Sequence, residues 1–174
     1  MRPSPIRLKH YNLATLHIDP VEGFEPSFDA EPYPSFSNAK FQIGVRIDEA
    51  EATADTHPFV LHLKLDGEPK EGKSFPYRFA VAATAIVEFR GGDDANKRRD
   101  LIAVNGTSLV YSAVREVLLS LTFRFPNGPM LLPSANFLDM VKKPQTVAAG
   151  PSSAEASRPK SKPRKIRKRP PAKA

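Results

Sequence analysis

Residues 75–90 read FPYRFAVAATAIVEFR, and this stretch decides the fold class. One parity is apolar from end to end, with Phe75, Tyr77, Phe79, Val81, Ala83, Ala85, Val87 and Phe89. The other parity includes Arg78, Thr84 and Glu88. Because successive side chains of a strand point to opposite faces, the pattern predicts a long antiparallel strand with one buried face.

Three further strands are predicted upstream. Apolar and polar residues alternate over 41–48 and over 59–66, and residues 5–18 alternate with two changes of phase. Such changes of phase indicate β-bulges, or a strand whose halves face different layers. The sequence Asp66-Gly67-Glu68-Pro69 has turn chemistry, so we expect the third strand to end there.

The segment from Asp19 to Phe36 is predicted to be a long crossover loop between the first and second strands. Its four prolines disfavour a regular helix or a central strand. The same segment nevertheless carries four aromatic residues, which are Phe24, Phe28, Tyr33 and Phe36.

After the strands, the hydrophobic period changes to that of a helix. An amphipathic helix of about 16 residues is predicted from the spacing of Val110, Ala113, Val114, Val117, Leu118 and Leu121. Thr107 or Ser108 is expected to cap its start, and Ser134 or Asn136 to cap a second, short helix. The order of elements predicts an α+β fold, in which a four-stranded antiparallel sheet is followed by an amphipathic helix and a short C-terminal helix.

Charge divides the 174-residue chain, whose formal net charge is +7, into two parts. Residues 144–174 carry nine basic residues and one acid, a net +8, which leaves −1 for residues 1–143. A segment so charged and so poor in apolar residues cannot bury enough surface to offset its ordering entropy. We therefore predict a globular domain over residues 1–143 and a disordered basic Lys/Arg/Pro tail over residues 144–174.

The composition argues against an enzyme. There is no cysteine, and the four histidines do not have metal-ligand spacing. Neither a glycine-rich phosphate loop nor a nucleophile elbow is present. We expect no catalysis, no metal and no cofactor. The chain also lacks a long apolar run and an apolar N-terminal region, so we expect a soluble, cytoplasmic protein without membrane insertion.

Two motifs stand out in the C-terminal half. The helix carries Tyr111 and the pair Arg115-Glu116, and the sequence LLPSANF follows over residues 131–137. These motifs resemble the SecB family of export chaperones and SecB-like proteins, in which the matching positions here are Tyr111, Arg115, Glu116, Pro133, Asn136 and Phe137. With the strand order upstream, the resemblance covers roughly residues 5–142. It implies a homotetramer, or a dimer, that holds unfolded or nascent polypeptides without ATP, in protein export or beside a toxin–antitoxin system.

The resemblance also implies a site. A protein that holds many sequences needs apolar grooves and sheet edges rather than one shaped pocket. The expected peptide-binding residues are the loop aromatics Phe24, Phe28, Tyr33 and Phe36, opposite a second wall of Phe125, Met130, Leu131 and Leu132. An alternative interpretation, which we call the core-plug interpretation, is that these aromatic residues pack into the hydrophobic core beneath a long loop. A structural or oligomer role is expected for Tyr111, Arg115, Glu116, Asn136 and Phe137.

The tail supports an alternative function of a different class. Export members of the family dock the translocase motor through a tail that often holds zinc with Cys and His, and this tail has neither residue. The alternative is a nucleic-acid- or ribosome-associated adaptor, with weak polyanion contact through Arg158, Lys160, Lys162, Arg164, Lys165, Arg167, Lys168 and Arg169. These basic residues are equally explained if the tail is an extension that only keeps the protein soluble.

Overall fold

The computed structural model describes residues 4–26, 33–53, 56–91 and 94–142. Its strands are β1 (Ile6–Pro20), β2 (Ala39–Glu49), β3 (Thr56–Pro69) and β4 (Tyr77–Arg90). A 3-10 turn at Phe36–Asn38 precedes β2. The helices are α1 (Ala95–Leu101), α2 (Thr107–Thr122) and α3 (Asp139–Lys142), and a π-helical turn at Ile102–Gly106 joins α1 to α2.

The predicted α+β fold class is confirmed. The four strands form one antiparallel sheet in the order β1-β4-β3-β2. The chain therefore passes from β1 at one edge to β2 at the opposite edge, as the crossover prediction requires. Both edge strands lie outside a central pair of long strands, β3 and β4.

The helices cover one face of the sheet. Side chains of β4 alternate between buried and less buried along the whole strand, as the opening sequence pattern predicts. Val110, Val114 and Leu118 of α2 are buried in the same core. The opposite face carries no helix in the part of the chain that the structure describes, and we call it the helix-free face.

The phase changes in β1 are β-bulges. The register against β4 shifts between Leu8 and His10 and again between Leu13 and Thr15, so that one residue is inserted at each place. Tyr11 and Leu16 pair with the buried residues Ala85 and Val81, so the halves of the strand face the same layer. The phase changes therefore reflect β-bulges, and the two halves of the strand do not face different layers.

The turn predicted over residues 66–69 is wrong, because β3 continues through these residues to Pro69. Gly67 lies directly opposite Phe79 on β4. A Cβ at position 67 would overlap the Phe79 ring. Glycine is therefore required here for close approach across two strands, which is a recognised use of glycine within a strand.

α2 has the predicted 16 residues and begins at Thr107, but the predicted caps are wrong: neither Thr107 nor Ser108 caps α2, because helical backbone already precedes it. Helical structure begins at Ala95, and the Asp94 side chain accepts a hydrogen bond of 3.2 Å from the Asn96 N–H as the N-cap. Residues 95–101 are largely polar and give no apolar stripe. The π-helical turn then changes the phase of the stripe, so the period in α2 does not extend back to Asp94.

The last predicted element, a short C-terminal helix, is present as α3. The Asn136 side chain accepts a hydrogen bond of 3.0 Å from the Leu138 N–H just before it, as expected for a capping residue. Among the described residues, every helix is too short or too polar to cross a membrane. The proposed division at residue 143 stays a prediction, since the tail lies outside the described residues.

Candidate functional site

An apolar groove of about 510 Å³ opens between edge strand β2 and the C-terminal segment. Among the residues that the structure describes, no charged side chain lines this β2 groove. Its lining residues are Phe41, Ile43, Val45, Pro133, Ser134, Ala135, Asn136, Phe137 and Met140. The groove is therefore suited to aliphatic and aromatic groups rather than to a charged ligand.

The β2 wall of the groove lies on the helix-covered side of the sheet but is not fully covered. Ile43 is 37% exposed there, whereas Leu65, directly opposite on β3, is fully buried. On the other side, Leu138 and Val141 are further exposed apolar residues next to the lining residues Phe137 and Met140. Apolar surface thus continues beyond the groove itself.

Along the same wall, the outward-directed backbone groups of β2 form no hydrogen bond to any residue that the structure describes. The Lys70 N–H donates to the Asn38 carbonyl at 2.9 Å, and the Ala50 N–H donates to the Pro58 carbonyl at 3.0 Å. The register between these bonds is unbroken, so even-numbered residues of β2 direct their backbone groups toward β3. Odd-numbered residues, Ile43 among them, direct theirs outward at the edge. The β2 residues that line the groove therefore also have N–H and C=O groups that no described residue pairs with.

Hydrogen bonds fix the C-terminal wall. The Tyr111 hydroxyl donates to the Pro133 carbonyl at 2.6 Å, and its ring packs edge-on against Phe137 with centroids 5.6 Å apart. Burial raises the pKa of Tyr111 to about 12, against a smaller opposing effect of the Arg115 charge. The hydroxyl therefore stays protonated and able to donate at neutral pH.

A second set of bonds holds the start of the same segment. The Asn127 side-chain amide donates to the carbonyls of Val21 and Pro76 at 3.0 and 2.8 Å. The Met130 N–H donates to the Thr122 hydroxyl at 2.8 Å. These contacts attach an irregular segment to α2 and to the sheet, and so make the groove wall part of the folded domain.

Tyr111→Phe is expected to lower the free energy of unfolding by about 1–2 kcal/mol, because a buried hydrogen bond is lost and the Pro133 carbonyl is left unpaired. Urea unfolding monitored by circular dichroism measures the change. Tyr33→Phe is the control, since Tyr33 is exposed and its hydroxyl forms no hydrogen bond to another described residue. Equal stabilities of the two variants would contradict the role assigned to Tyr111.

Two of the expected peptide-binding residues are core residues. Met130 and Leu132 are both 0% exposed, so they present no surface to a peptide in this protomer. Burial alternates along this part of the segment, so that the side chains of Met130 and Leu132 point inward against the domain. Leu131 between them is half-buried. The expectation is corrected for Met130 and Leu132.

Of the expected loop aromatics, those that the structure describes do not line the β2 groove. Phe36 packs edge-on against Phe41 and Phe75, with centroids 5.4 and 5.0 Å apart, and this favours the core-plug interpretation for Phe36. Phe24 is half-buried and Tyr33 exposed. Phe28 lies outside the described residues.

Phe125, the remaining member of the expected second wall, lies elsewhere. It is half-buried beside Tyr77, with ring centroids 6.1 Å apart. The structure thus brings together a different set from the one the sequence suggested. Asn136 and Phe137, expected to be structural, line the groove. The β2 residues and Met140 were missed.

The Arg115-Glu116 pair forms no compact acid–base site. Arg115 is half-buried close to Tyr111, and its buried Nε atom has no hydrogen-bond partner among the described residues. Glu116 is exposed on α2. A structural or oligomer role for this pair stays a prediction. The basic residues from Arg158 to Arg169 lie outside the described residues.

The helix-free face has a different character. Its charged side chains form exposed ion pairs, among them Lys40–Glu68 at 3.2 Å and Arg46–Asp48 at 3.0 Å. Within the described ranges no group of His, Asp or Glu is arranged to hold a metal ion. Exposed pairs of this kind contribute little and mark no site.

Comparison with known proteins gives neighbours in structure alone. No family model matches the chain, and no curated protein matches its sequence. A SecB-like chaperone from Mycobacterium tuberculosis, solved with a ChAD peptide from the HigA1 antitoxin, is similar with a TM-score of 0.46 and 12% identity, covering 75% of this chain and 91% of that chain. A Streptococcus agalactiae protein of unknown function has a TM-score of 0.44 and 9% identity, covering 75% and 97%. Both TM-scores lie below 0.5, so the case for a function rests on this chain's own surfaces.

Proposed function

We propose that this chain is an ATP-independent chaperone that binds unfolded polypeptide segments in extended conformation and holds them without catalysis. The observation that carries the proposal is the coincidence of two features at Ile43 and its odd-numbered neighbours in β2. Their side chains line an apolar groove, and in the described part of the chain their backbone groups are unpaired at a sheet edge.

These two features suit an extended client. A client strand added to β2 forms main-chain hydrogen bonds that do not depend on its sequence. Every second client side chain then points into the groove, toward Phe137 and Met140. The groove therefore favours apolar residues at alternate positions, a pattern that unfolded β-rich proteins supply many times.

Edge strand β1 is less regular than β2, and this difference favours β2 as the strand to which clients bind. Two bulges interrupt β1, and bulges hinder the addition of a further strand. β2 has neither bulge nor proline, and its register with β3 is continuous. The regular edge is therefore the better template for strand addition.

Self-association is proposed as part of the same function. Several large apolar side chains remain exposed away from the groove, including Leu16 on β1, Leu109 on α2 and, most of all, Phe123 at 72% exposure. Contact between protomers would cover such residues. A dimer or tetramer would also present several grooves to one client, and the weak contacts would then add by avidity. Export and toxin–antitoxin roles both remain compatible with this proposal, as does a cytoplasmic location.

Light scattering of an aggregating client, with and without the protein, tests the function. We expect suppression of aggregation by the full chain without ATP, and the same suppression after deletion of residues 144–174. Loss of all activity on deletion would instead support the adaptor function of the tail. Sedimentation velocity of the same samples gives the oligomeric state, and a strict monomer would contradict self-association.

A further inference from the structure

The side chain of Asn136, on the C-terminal wall of the β2 groove, is exposed and held in one orientation. Its Oδ1 atom accepts a hydrogen bond of 3.0 Å from the Leu138 N–H. A backbone N–H bonds only to an acceptor, so the oxygen of the amide must take this position and the NH2 group must lie on the other side. That NH2 group forms no hydrogen bond with any residue that the structure describes, and it leaves two donors for an occupant of the groove.

The acceptor that a client brings to these donors is its main chain. Client side chains that fit an apolar groove carry no acceptor. In an extended chain the carbonyl groups point alternately to the two sides, so a client added to β2 pairs one set with the strand and directs the other set away from it. Carbonyls of the second set lose water as the client enters the groove, and an unpaired buried carbonyl weakens binding.

We propose that Asn136 binds clients directly: its NH2 group donates to a main-chain carbonyl that the client directs away from β2. The inference rests on the proposed function, since the client must first lie along β2. It names the class of ligand that the groove takes. An extended polypeptide pairs with β2 and Asn136 together, whereas an acyl chain contacts the apolar lining and leaves the polar groups of both walls without a partner.

The groove wall holds Asn136 in place before a client arrives. Asn136 lies between Pro133, whose carbonyl accepts from the Tyr111 hydroxyl at 2.6 Å, and Phe137, whose ring packs against that of Tyr111. With the hydrogen bond from the Leu138 N–H, the donor is fixed through both its backbone and its side chain. A donor fixed in advance loses little conformational entropy on binding, so more of the strength of its hydrogen bond contributes to affinity.

Two substitutions keep the capping oxygen and remove the donor. Asp and Ser cap helices as Asn does, but neither has an NH2 group. We expect Asn136→Asp and Asn136→Ser each to weaken binding of a labelled peptide about fivefold in the full chain, as measured by fluorescence anisotropy, while the urea midpoint stays unchanged. The peptide has apolar residues of different sizes at alternate positions, so that one register on β2 is favoured.

Gln42→Ser is the matched control. Gln42 carries the same amide group, is exposed, and lies on the helix-free face of β2, so its loss should leave the affinity unchanged. Equal weakening by Gln42→Ser and Asn136→Ser would overturn the inference.

A second peptide series locates the hydrogen bond. Each member has one main-chain carbonyl oxygen replaced by sulfur, a weaker acceptor, at a different position. With the wild-type chain, we expect losses at the carbonyls that pair with β2 and at the carbonyl that pairs with Asn136. In Asn136→Ser, the loss at that last carbonyl should disappear while the β2 losses remain. A merely structural role for Asn136 produces no such coupling, and identical profiles for the two proteins would overturn the inference.

Further outcomes separate the inference from the proposed function. If Ile43→Ser weakens peptide binding and neither Asn136 variant does, the inference fails and the proposed function stands. If Ile43→Ser also leaves the affinity unchanged, the proposed function fails and the inference fails with it. Decanol is the last probe, because it offers an apolar chain without an amide group. We expect no displacement of the peptide by decanol at concentrations near the dissociation constant of the peptide, and displacement there would overturn the inference.

Discussion

Ile43→Ser is expected to weaken binding of a permanently unfolded client at least tenfold while the domain stays folded. The Ile43 side chain lies in the β2 groove and is 37% exposed in the free protein, so much of its apolar surface is available to a client. Full burial of an exposed aliphatic side chain contributes about 1.5–3 kcal/mol, so the exposed third of Ile43 accounts for roughly 0.5–1 kcal/mol. A serine hydroxyl buried there without a hydrogen-bond partner costs about another 1–3 kcal/mol, and about 1.4 kcal/mol corresponds to a factor of ten in affinity. Anisotropy of a labelled, carboxymethylated client measures the change.

The chain offers a closely matched control. Ile86 is 38% exposed but lies on the helix-free face of β4. Ile86→Ser makes the same chemical change at nearly the same exposure, and it should leave client affinity unchanged. Equal weakening by both substitutions would show that binding follows general surface hydrophobicity, and the groove would lose its assignment.

The contribution of the strand edge can be separated from that of the side chain. Ile43→Ala removes most of the side chain and keeps the backbone N–H that points outward. Ile43→Pro removes both, while the bonds from Gln42 and Gly44 to β3 are retained, as is typical of proline at an edge position. Client affinity is therefore expected to fall further for Ile43→Pro than for Ile43→Ala. The same affinity for both would mean that clients do not add to β2 as a strand.

Hydrophobic periodicity accounts for the predictions that succeeded. The β4 pattern, the phase changes of β1 and the stripe of α2 each follow from one local segment, and each local segment reports which of its own faces is buried. The fold class follows from the order of these segments. The sequence thus indicates which residues of one strand or helix are buried before any contact between elements is known.

The groove depends on contacts that no single segment reports. Alternation in β2 shows that Phe41 and Ile43 share a face, but only the strand order β1-β4-β3-β2 places them at an edge. Met130 and Leu132 were predicted to bind clients, but both are buried in the core. An apolar side chain predicts contact with another apolar surface, and the sequence does not show whether that surface belongs to the core or to a client. The family resemblance named Asn136 and Phe137, and it missed the β2 wall that they face.

Gly67 was predicted to lie in a turn because its cross-strand neighbour could not be known from the sequence. Substitution of Gly67 has the largest effect on stability that we expect. The row of residues facing the helices at this level consists of Phe41, Gly67 and Phe79, one from each of three adjacent strands. Gly67 has no side chain, so the rings of Phe41 and Phe79 approach across it to a centroid distance of 6.2 Å. A turn and a close approach of two rings both favour glycine. The two explanations can be distinguished only when the residue opposite Gly67 on the neighbouring strand is known.

Gly67→Ala is expected to lower the free energy of unfolding by about 2–3 kcal/mol, as measured by urea denaturation. The new methyl group would overlap the buried Phe79 ring, and overpacking of a core costs about 1–3 kcal/mol. Gly44→Ala is the matched control on β2. Its Cβ would meet nothing closer than the Lys64 Cβ at 3.8 Å, so its effect is expected to stay within about 0.5 kcal/mol of zero.

A double-mutant cycle and a binding measurement complete this prediction. Phe79→Leu replaces the overlapping ring with a smaller side chain, so Gly67→Ala should cost at least 1 kcal/mol less in that background, within the range of about 0.5–3 kcal/mol found for residues in contact. Displacement of the Phe79 ring should also disturb Phe41, which lines the β2 groove, and so weaken client binding under conditions where the variant is still folded. Additive effects in the cycle would contradict the close approach of Phe79 to Gly67. Unchanged client affinity in a destabilised Gly67→Ala protein would show that the position of Phe41 does not depend on the ring beneath it.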